Sequence, residues 1–392
     1  MNKIINAIKW FFSNPRCVFW LGMAITLLAT FLEMIRSRNT NFFDYHDATM
    51  MFWSGLSPYN MEYVETRHIY FLYSPIFSVV FAPIFLLPEW LGPYVWNVFN
   101  YCMFTLAIWM LPNQLAPHRL KIFLFLLSTL LQSIFCFQYN TVVCYIFLFA
   151  FILLERDKPF FAILLIMFSA MTKVYGIVEL ALLLCYPKFW RNIIYVLICG
   201  TILFLLPAIN QSFDNVFILY RQMFDMIANH HSDTDFVGIL FARGLKPLLL
   251  PNYRIVQIAV IFTLGIFFFL RYKRWQIFQF RVQVLAVLMG YVILFSDSPE
   301  THTYIIALTG YQMAFWLQPK HTKFDWVLFW LLLINFGVLP TDVLCPPAIH
   351  IYVHETFWLD VYCMLLAWLR VIWWAIKPSY KFQIDISHRN NE

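Results

Sequence analysis

Charge is what this sequence has least of. Only 12% of its 392 residues are charged, against 61% hydrophobic. That leaves too little polar side chain to cover a soluble body of this size, so a soluble enzyme is excluded. Nucleotide-binding signatures are missing as well: there is no Walker loop, no dinucleotide fingerprint and no Ser-His-Asp order. The eight cysteines lie mostly within apolar segments and show no metal-ligand spacing. They read as small buried hydrophobes. Residues 2–15 lack a long apolar stretch, and no small-residue cleavage site follows, so a cleaved signal peptide is not expected.

Long apolar runs are present instead. Residues 17–34, 95–110, 193–207, 255–269 and 357–376 approach or reach the roughly 20 apolar residues that cross hydrocarbon. The expectation is an all-α polytopic membrane protein, one domain over 1–392, with about 12 transmembrane helices. Segment 74–87 is too short for a comfortable span, holds Pro75 and Pro83, and reads as a re-entrant or half helix.

Basic residues test that arrangement. Both termini and the loops at 112–121, 155–158, 187–192, 271–281 and 319–324 carry eighteen Lys/Arg, whereas the other side carries seven. Lys173 and Arg370 fall in or between spans and are left out of both counts. The bias places the lysine-rich side, with both termini and a tail at 377–392, in the cytoplasm. The net charge of +6 is then a matter of topology, and nucleic acid is not an expected partner. The first and second outer loops, 37–73 and 210–253, face the opposite side.

The first of these loops concentrates the chemistry. It holds Asn41, Asp44, His46, Asp47, the turn formers Gly55 and Pro58, then Glu62, Glu65, Arg67, His68 and Tyr73. Loops this long are usually functional. Stretches 44–52 and 63–71 read as short interfacial helices separated by Gly55 and Pro58. Asp44 and Asp47, three apart, share a helix face. A carboxylate at the membrane rim is suited to general-base work, with partial desolvation raising its pKa.

Three further polar clusters fall on the same side: Gln138-Tyr139-Asn140 with Lys173, the loop from 210 to 254, and 296–304 with Glu300, His302 and Tyr304. Polar groups at the ends of short membrane helices are unfavourable unless they line a polar cavity, so a shared outer cavity is the expected arrangement. The run His230-His231-Ser232-Asp233 superficially resembles a metal cluster, but adjacent histidines more often point apart and no metal is expected. Lys173 has two readings, interfacial snorkelling or contact with a lipid phosphate.

These residues resemble a known family. Asn41-Phe42, Gly55, Pro58-Tyr59, Tyr73-Ser74-Pro75, Pro83, Leu87-Pro88 and Trp96-Asn97-Val98-Phe99-Asn100 resemble the N-terminal signature of glycosyltransferase family 87. Gln138-Tyr139-Asn140, Lys173-Val174-Tyr175-Gly176 and residues 298–304 are similar to later patches of its bacterial members. The resemblance implies a GT-C-type enzyme of the bacterial inner membrane. Such an enzyme moves mannose, or a similar hexose, from a polyprenyl-phosphate carrier to a glycan or glycolipid at the outer face. It inverts the anomeric centre and needs no nucleotide sugar and no cofactor. An Asp of the first outer loop is the family's proposed base, and it aligns best with Asn41, whose amide cannot accept the proton. The resemblance therefore leaves Asp44, Asp47 or Glu300 as substitute, or a catalytically altered chain. His302 is expected at the acceptor or leaving phosphate, and Lys173 with Arg67 or His68 at the phosphate. Asn41, Tyr73, Gln138, Asn140 and Tyr304 complete the expected substrate contacts. A lipid-linked sugar transporter or a non-catalytic assembly subunit is the alternative.

Overall fold

The structure, a computed structural model, describes residues 2–36, 40–60, 71–233, 244–297, 299–341 and 345–377. Every regular element among them is helical. In chain order the helices are α1 (Asn2–Ser13), α2 (Pro15–Ile35), α3 (Thr40–Trp53), α4 (Pro75–Val80), α5 (Ala82–Phe85), α6 (Gly92–Trp109), α7 (Arg119–Phe135), α8 (Asn140–Glu155) and α9 (Pro159–Thr172). They continue as α10 (Phe189–Leu205), α11 (Phe213–Asp233), α12 (Lys246–Leu249), α13 (Tyr253–Leu270), α14 (Phe278–Leu294), α15 (Ile305–Trp316), α16 (Lys323–Leu333), α17 (Pro347–Ile351) and α18 (Leu359–Ile376).

Five helical stretches among the described residues are long and apolar enough to cross a membrane: Pro15–Ile35, Asn113–Phe135, Phe189–Ile209, Tyr253–Leu270 and Leu359–Ile376. Four shorter apolar helices accompany them. Fewer full-length spans appear than the hydropathy runs imply, because proline and polar residues divide several runs. Segment 74–87 is split at Phe81 into α4 and α5, each with proline in its first turn, where the missing N–H costs nothing. Residues 174–185 wind as a 3₁₀ helix, and α16 passes into a π turn over Ile334–Val338. The segment expected to be the second outer loop contains a helix of 21 residues, α11.

The chain packs into two compact units: residues 1–110, 130–177 and 193–239 in the first, and 111–129, 178–192 and 240–392 in the second. The first is built on aromatic packing. Phe77 and Phe85 stack with centroids 5.4 Å apart, Phe85 meets Trp96 at 4.9 Å, and Tyr45 of α3 lies 5.0 Å from Phe77. Phe42, Phe77, Phe85 and Trp96 are fully buried, so ring-to-ring van der Waals packing holds this layer together. Segment 74–87 is thereby packed against α3 and α6.

The second unit is built on close approach. A side chain added at Gly310 of α15 would come within 2.8 Å of the Ala286 backbone on α14, and one at Gly290 would collide with Trp368 of α18. Small residues let these helices pack at short range. Almost the whole of α14 and α15 is buried. Asp325, 1% exposed, caps α16 through Thr322 and receives a forked contact from Arg370 of α18 at 2.7 and 3.2 Å.

Candidate active site

Helix α3 carries the first carboxylates. Phe42, Tyr45, Thr49 and Phe52 fall at helical spacing and are all buried, fixing one face against the aromatic core. The helix ends at Gly55, whose φ of 80° is a left-handed conformation that glycine adopts without a Cβ penalty. Beyond the turn, Ser57 donates to Gln222 of α11 at 2.6 Å, while Asn210 and Gln211 both donate to the Phe52 carbonyl at 2.9 Å. Residues 52–57 and 210–222 hold each other in place through these bonds.

On the other flank, Asp44 is half-buried and, among the described residues, no hydrogen bond or ion pair reaches its carboxyl. Burial, with the nearby Asp47 carboxylate, pushes its pKa up from 3.8 to about 6. Asp47 is engaged differently, with its Oδ1 3.1 Å from His46 Nδ1. Asn41, one turn before Asp44, donates from Nδ2 to the Cys136 carbonyl at 2.8 Å. Its amide is a structural donor, a role that an ionised Asp has no proton to fill.

That bond leads to the second polar patch. Phe137, fully buried, takes a φ of 52°, a strained setting for a non-glycine residue. It turns the chain sharply between α7 and α8, and its carbonyl accepts from Trp96 Nε1 at 3.3 Å. The turn delivers Gln138, Tyr139 and Asn140. Asn140 donates to Gln138 at 3.3 Å and accepts from Lys173 Nζ at 3.0 Å. Lys173 lies in the gap between α9 and the 3₁₀ helix, with its ammonium 5.7 Å from the Tyr73 ring and 4.7 Å from the Tyr175 ring. Two aromatic faces and an amide oxygen thus hold a half-buried cation. Tyr73 is held in turn, its hydroxyl 3.2 Å from that of Tyr45 and its carbonyl accepting from Tyr59 at 2.7 Å.

The structure therefore brings Tyr73, Gln138, Asn140 and Lys173 together, and sets Asn41 beside the same turn. Glu300, His302 and Tyr304 belong to the second unit. There the Glu300 carboxyl is exposed, caps the short 3₁₀ turn Thr301–Tyr304, and lies 2.8 Å from His302 Nε2 in an ion-pair approach rather than an aligned hydrogen bond. Tyr304 is fully buried with its ring 4.7 Å from Phe336. His68, Arg67 and the proposed interfacial helix at 63–71, up to residue 70, lie outside the described residues, as do the side chains of His230, His231 and Asp233. Among the described residues, no group of three or more His, Cys, Asp or Glu is placed to hold a metal ion.

Comparison with known proteins adds one decisive finding. The profile of glycosyltransferase family 87 matches residues 71–296, more than half of the chain. The chain belongs to this family. It is accordingly a membrane glycosyltransferase, with a sugar donor and an acceptor as its partners. No curated protein matches it. The family match takes in Tyr73, Gln138, Asn140 and Lys173, but begins after Asp44 and ends before Glu300. In this family 87 protein the amide and lysine corner thus lies in the shared region, while the carboxylates stand on their local geometry.

One group escaped the sequence reading. Glu179, within the 3₁₀ helix, is 0% exposed and neither carboxyl oxygen has a hydrogen-bond partner among the described residues. The available signal was a lone acid in an otherwise apolar run, which in a membrane segment is unfavourable without a purpose.

Proposed function

We propose that this family 87 protein transfers a hexose, mannose in the first instance, from a polyprenyl-phosphate carrier to a glycan or glycolipid acceptor, with Asp44 as general base. The observation that carries this reading is the Asp44 carboxyl: half-buried, unpartnered among the described residues, and raised to about 6. A base must be ionised at working pH yet basic enough to accept a proton, and a value just below neutrality meets both demands.

The step is an in-line displacement. The acceptor hydroxyl oxygen attacks the anomeric carbon from the face opposite the phosphate, and the bond from that carbon to the phosphate oxygen breaks. The hydroxyl proton passes to Asp44, and the electron pair leaves on polyprenyl phosphate. Configuration inverts. Negative charge grows on the departing phosphate, and we assign Lys173 to meet it, held by Asn140 and the rings of Tyr73 and Tyr175. Asp47, paired with His46, keeps a second negative charge one turn away and so raises the basicity of Asp44. Glu300 with His302 is the second acid–imidazole pair and the competing candidate for the base. Gln138, with Tyr73, supplies sugar-hydroxyl contacts.

The architecture in this proposal is of the GT-C type, with about 12 spans in all. The lysine-rich side, both termini and the 377–392 tail are cytoplasmic, and the site opens on the outer face of the bacterial inner membrane. The Lys/Arg bias supports that orientation. A non-catalytic assembly subunit is the second reading, favoured by Asn41, where the resemblance would put the family base but which is an amide already donating to the Cys136 carbonyl.

A structure with a non-hydrolysable polyprenyl-phosphate sugar bound tests the assignment. The expected result is phosphate density within about 4 Å of Lys173 Nζ, as a charge-assisted contact requires, with the sugar on the Asp44 side. Phosphate density remote from Lys173 overturns it.

A further inference from the structure

We propose that Lys121, Lys320 and Lys323, set around the stacked rings of His118, Trp316 and His321, form a binding site for the phosphate of an anionic membrane-lipid headgroup, distinct from the transfer site. The two basic segments that charge counting assigns to one face, 112–121 and 319–324, meet here within the second unit. His118, at the foot of the apolar stretch Asn113–Phe135, stacks on Trp316 with centroids 5.2 Å apart and planes within 15°. His321 stacks on Phe315 at 4.0 Å and 10°, and lies 6.4 Å from Trp316. Lys121 places its ammonium 4.5 Å from the Trp316 ring centre.

Stacking occupies one face of each imidazole and both Nδ1 atoms are buried inside the cluster, so the rings form its floor and the exposed lysines supply the contacts. Neither Nδ1 has a partner among the described residues. The charges around them are nearly all of one sign. Lys121, Lys320 and Lys323 are exposed, and no ion pair holds any of them among the described residues. Arg119 turns back to the Leu111 carbonyl. The carboxylate packed here is Asp325, and its oxygens are taken by Arg370 and by Thr322. Burial holds His321 below its ordinary pKa, outweighing the pull of Asp325 towards protonation.

Uncompensated cations around a tryptophan at the end of a membrane helix face the headgroup layer, where the available counter-charge is lipid phosphate.

The test uses the full chain in detergent micelles, with short-chain phosphatidic acid titrated below its micelle-forming concentration and retention read by native mass spectrometry. Short-chain phosphatidylcholine and inorganic phosphate are the control arms. Saturable binding of phosphatidic acid is expected, weakened about five- to tenfold by Lys121→Glu and to a similar degree by Lys320→Glu. Lys320 sits in an exposed turn, so its variant keeps the fold. Binding of phosphatidylcholine equal to that of phosphatidic acid, or phosphatidic acid binding unchanged in both variants, overturns the proposal. Competition by inorganic phosphate at equal concentration moves the ligand from lipid to soluble phosphate and overturns the lipid assignment.

Discussion

Replacing Asp44 by Asn separates the chemical role of this carboxyl from its structural cost. The side chain keeps its shape and loses its charge. The folded protein raises the Asp44 pKa from 3.8 to about 6, roughly two units, or about 3 kcal/mol at 1.36 kcal/mol per unit. Water reaching the half-exposed group screens this to about 1 kcal/mol. The sign follows from the direction of the shift. A folded-state pKa above the unfolded one means the fold binds the proton more tightly, so the favourable contribution is complete below about pH 4 and lost as pH rises through 6. Asp44→Asn is therefore expected to unfold at or above the wild-type temperature at pH 7.5 in detergent, and to lose the Asp44-dependent fall between pH 4 and 6. Its transfer rate drops about 10²- to 10⁴-fold, the usual contribution of a positioned base. Wild-type kcat/KM rises with pH, is half-maximal near 6 and levels off about one unit above. Transfer by Asp44→Asn within a few-fold of wild type, measured on the same folded preparation, refutes the assignment and points to Glu300.

Three further outcomes follow from the same geometry. Lys173→Ala removes the cation beside Tyr73 and Tyr175, and is expected to lower kcat about 100-fold with partial recovery in Lys173→Arg; an unchanged rate counts against its contact with the leaving phosphate. Asn41→Asp sets a carboxylate against the Cys136 carbonyl, so thermal unfolding should show a loss of about 1–3 kcal/mol with no gain in transfer. A faster Asn41→Asp enzyme contradicts the structural role given to that amide. Asp325→Ala strands Arg370 and uncaps α16, for an expected loss of about 3–5 kcal/mol in denaturant unfolding; a neutral result shows that the pair is replaceable.

Much of this was legible in sequence because membrane solvation writes long signals. The apolar runs, the charge asymmetry and the shortness of segment 74–87 with its two prolines can all be read without coordinates, whereas its break at Phe81 came only from the structure. Helix α11 was hidden inside an expected polar loop: Asp214, Arg221 and Asp225 interrupt the eye, although Val216, Leu219, Tyr220, Met223 and Met226 recur at helical spacing and are buried. The 3₁₀ winding of 174–185 is not predictable from an apolar run, since packing decides it. The role of Asn41 was also out of reach, because its partner lies 95 residues away. Conversely, the grouping of Lys173 with Gln138 and Asn140 was visible as three polar residues at the ends of short apolar segments, where only mutual contact satisfies them.

The central claim is that this chain makes a glycosidic bond from a lipid-phosphate sugar. The most direct measurement is to supply purified protein in liposomes with labelled polyprenyl-phosphate mannose and acceptor glycolipid, and to analyse the products. The account predicts a new glycolipid of inverted anomeric configuration, made by wild type and not by Asp44→Asn. Movement of the labelled lipid between leaflets with no new glycosidic bond contradicts it.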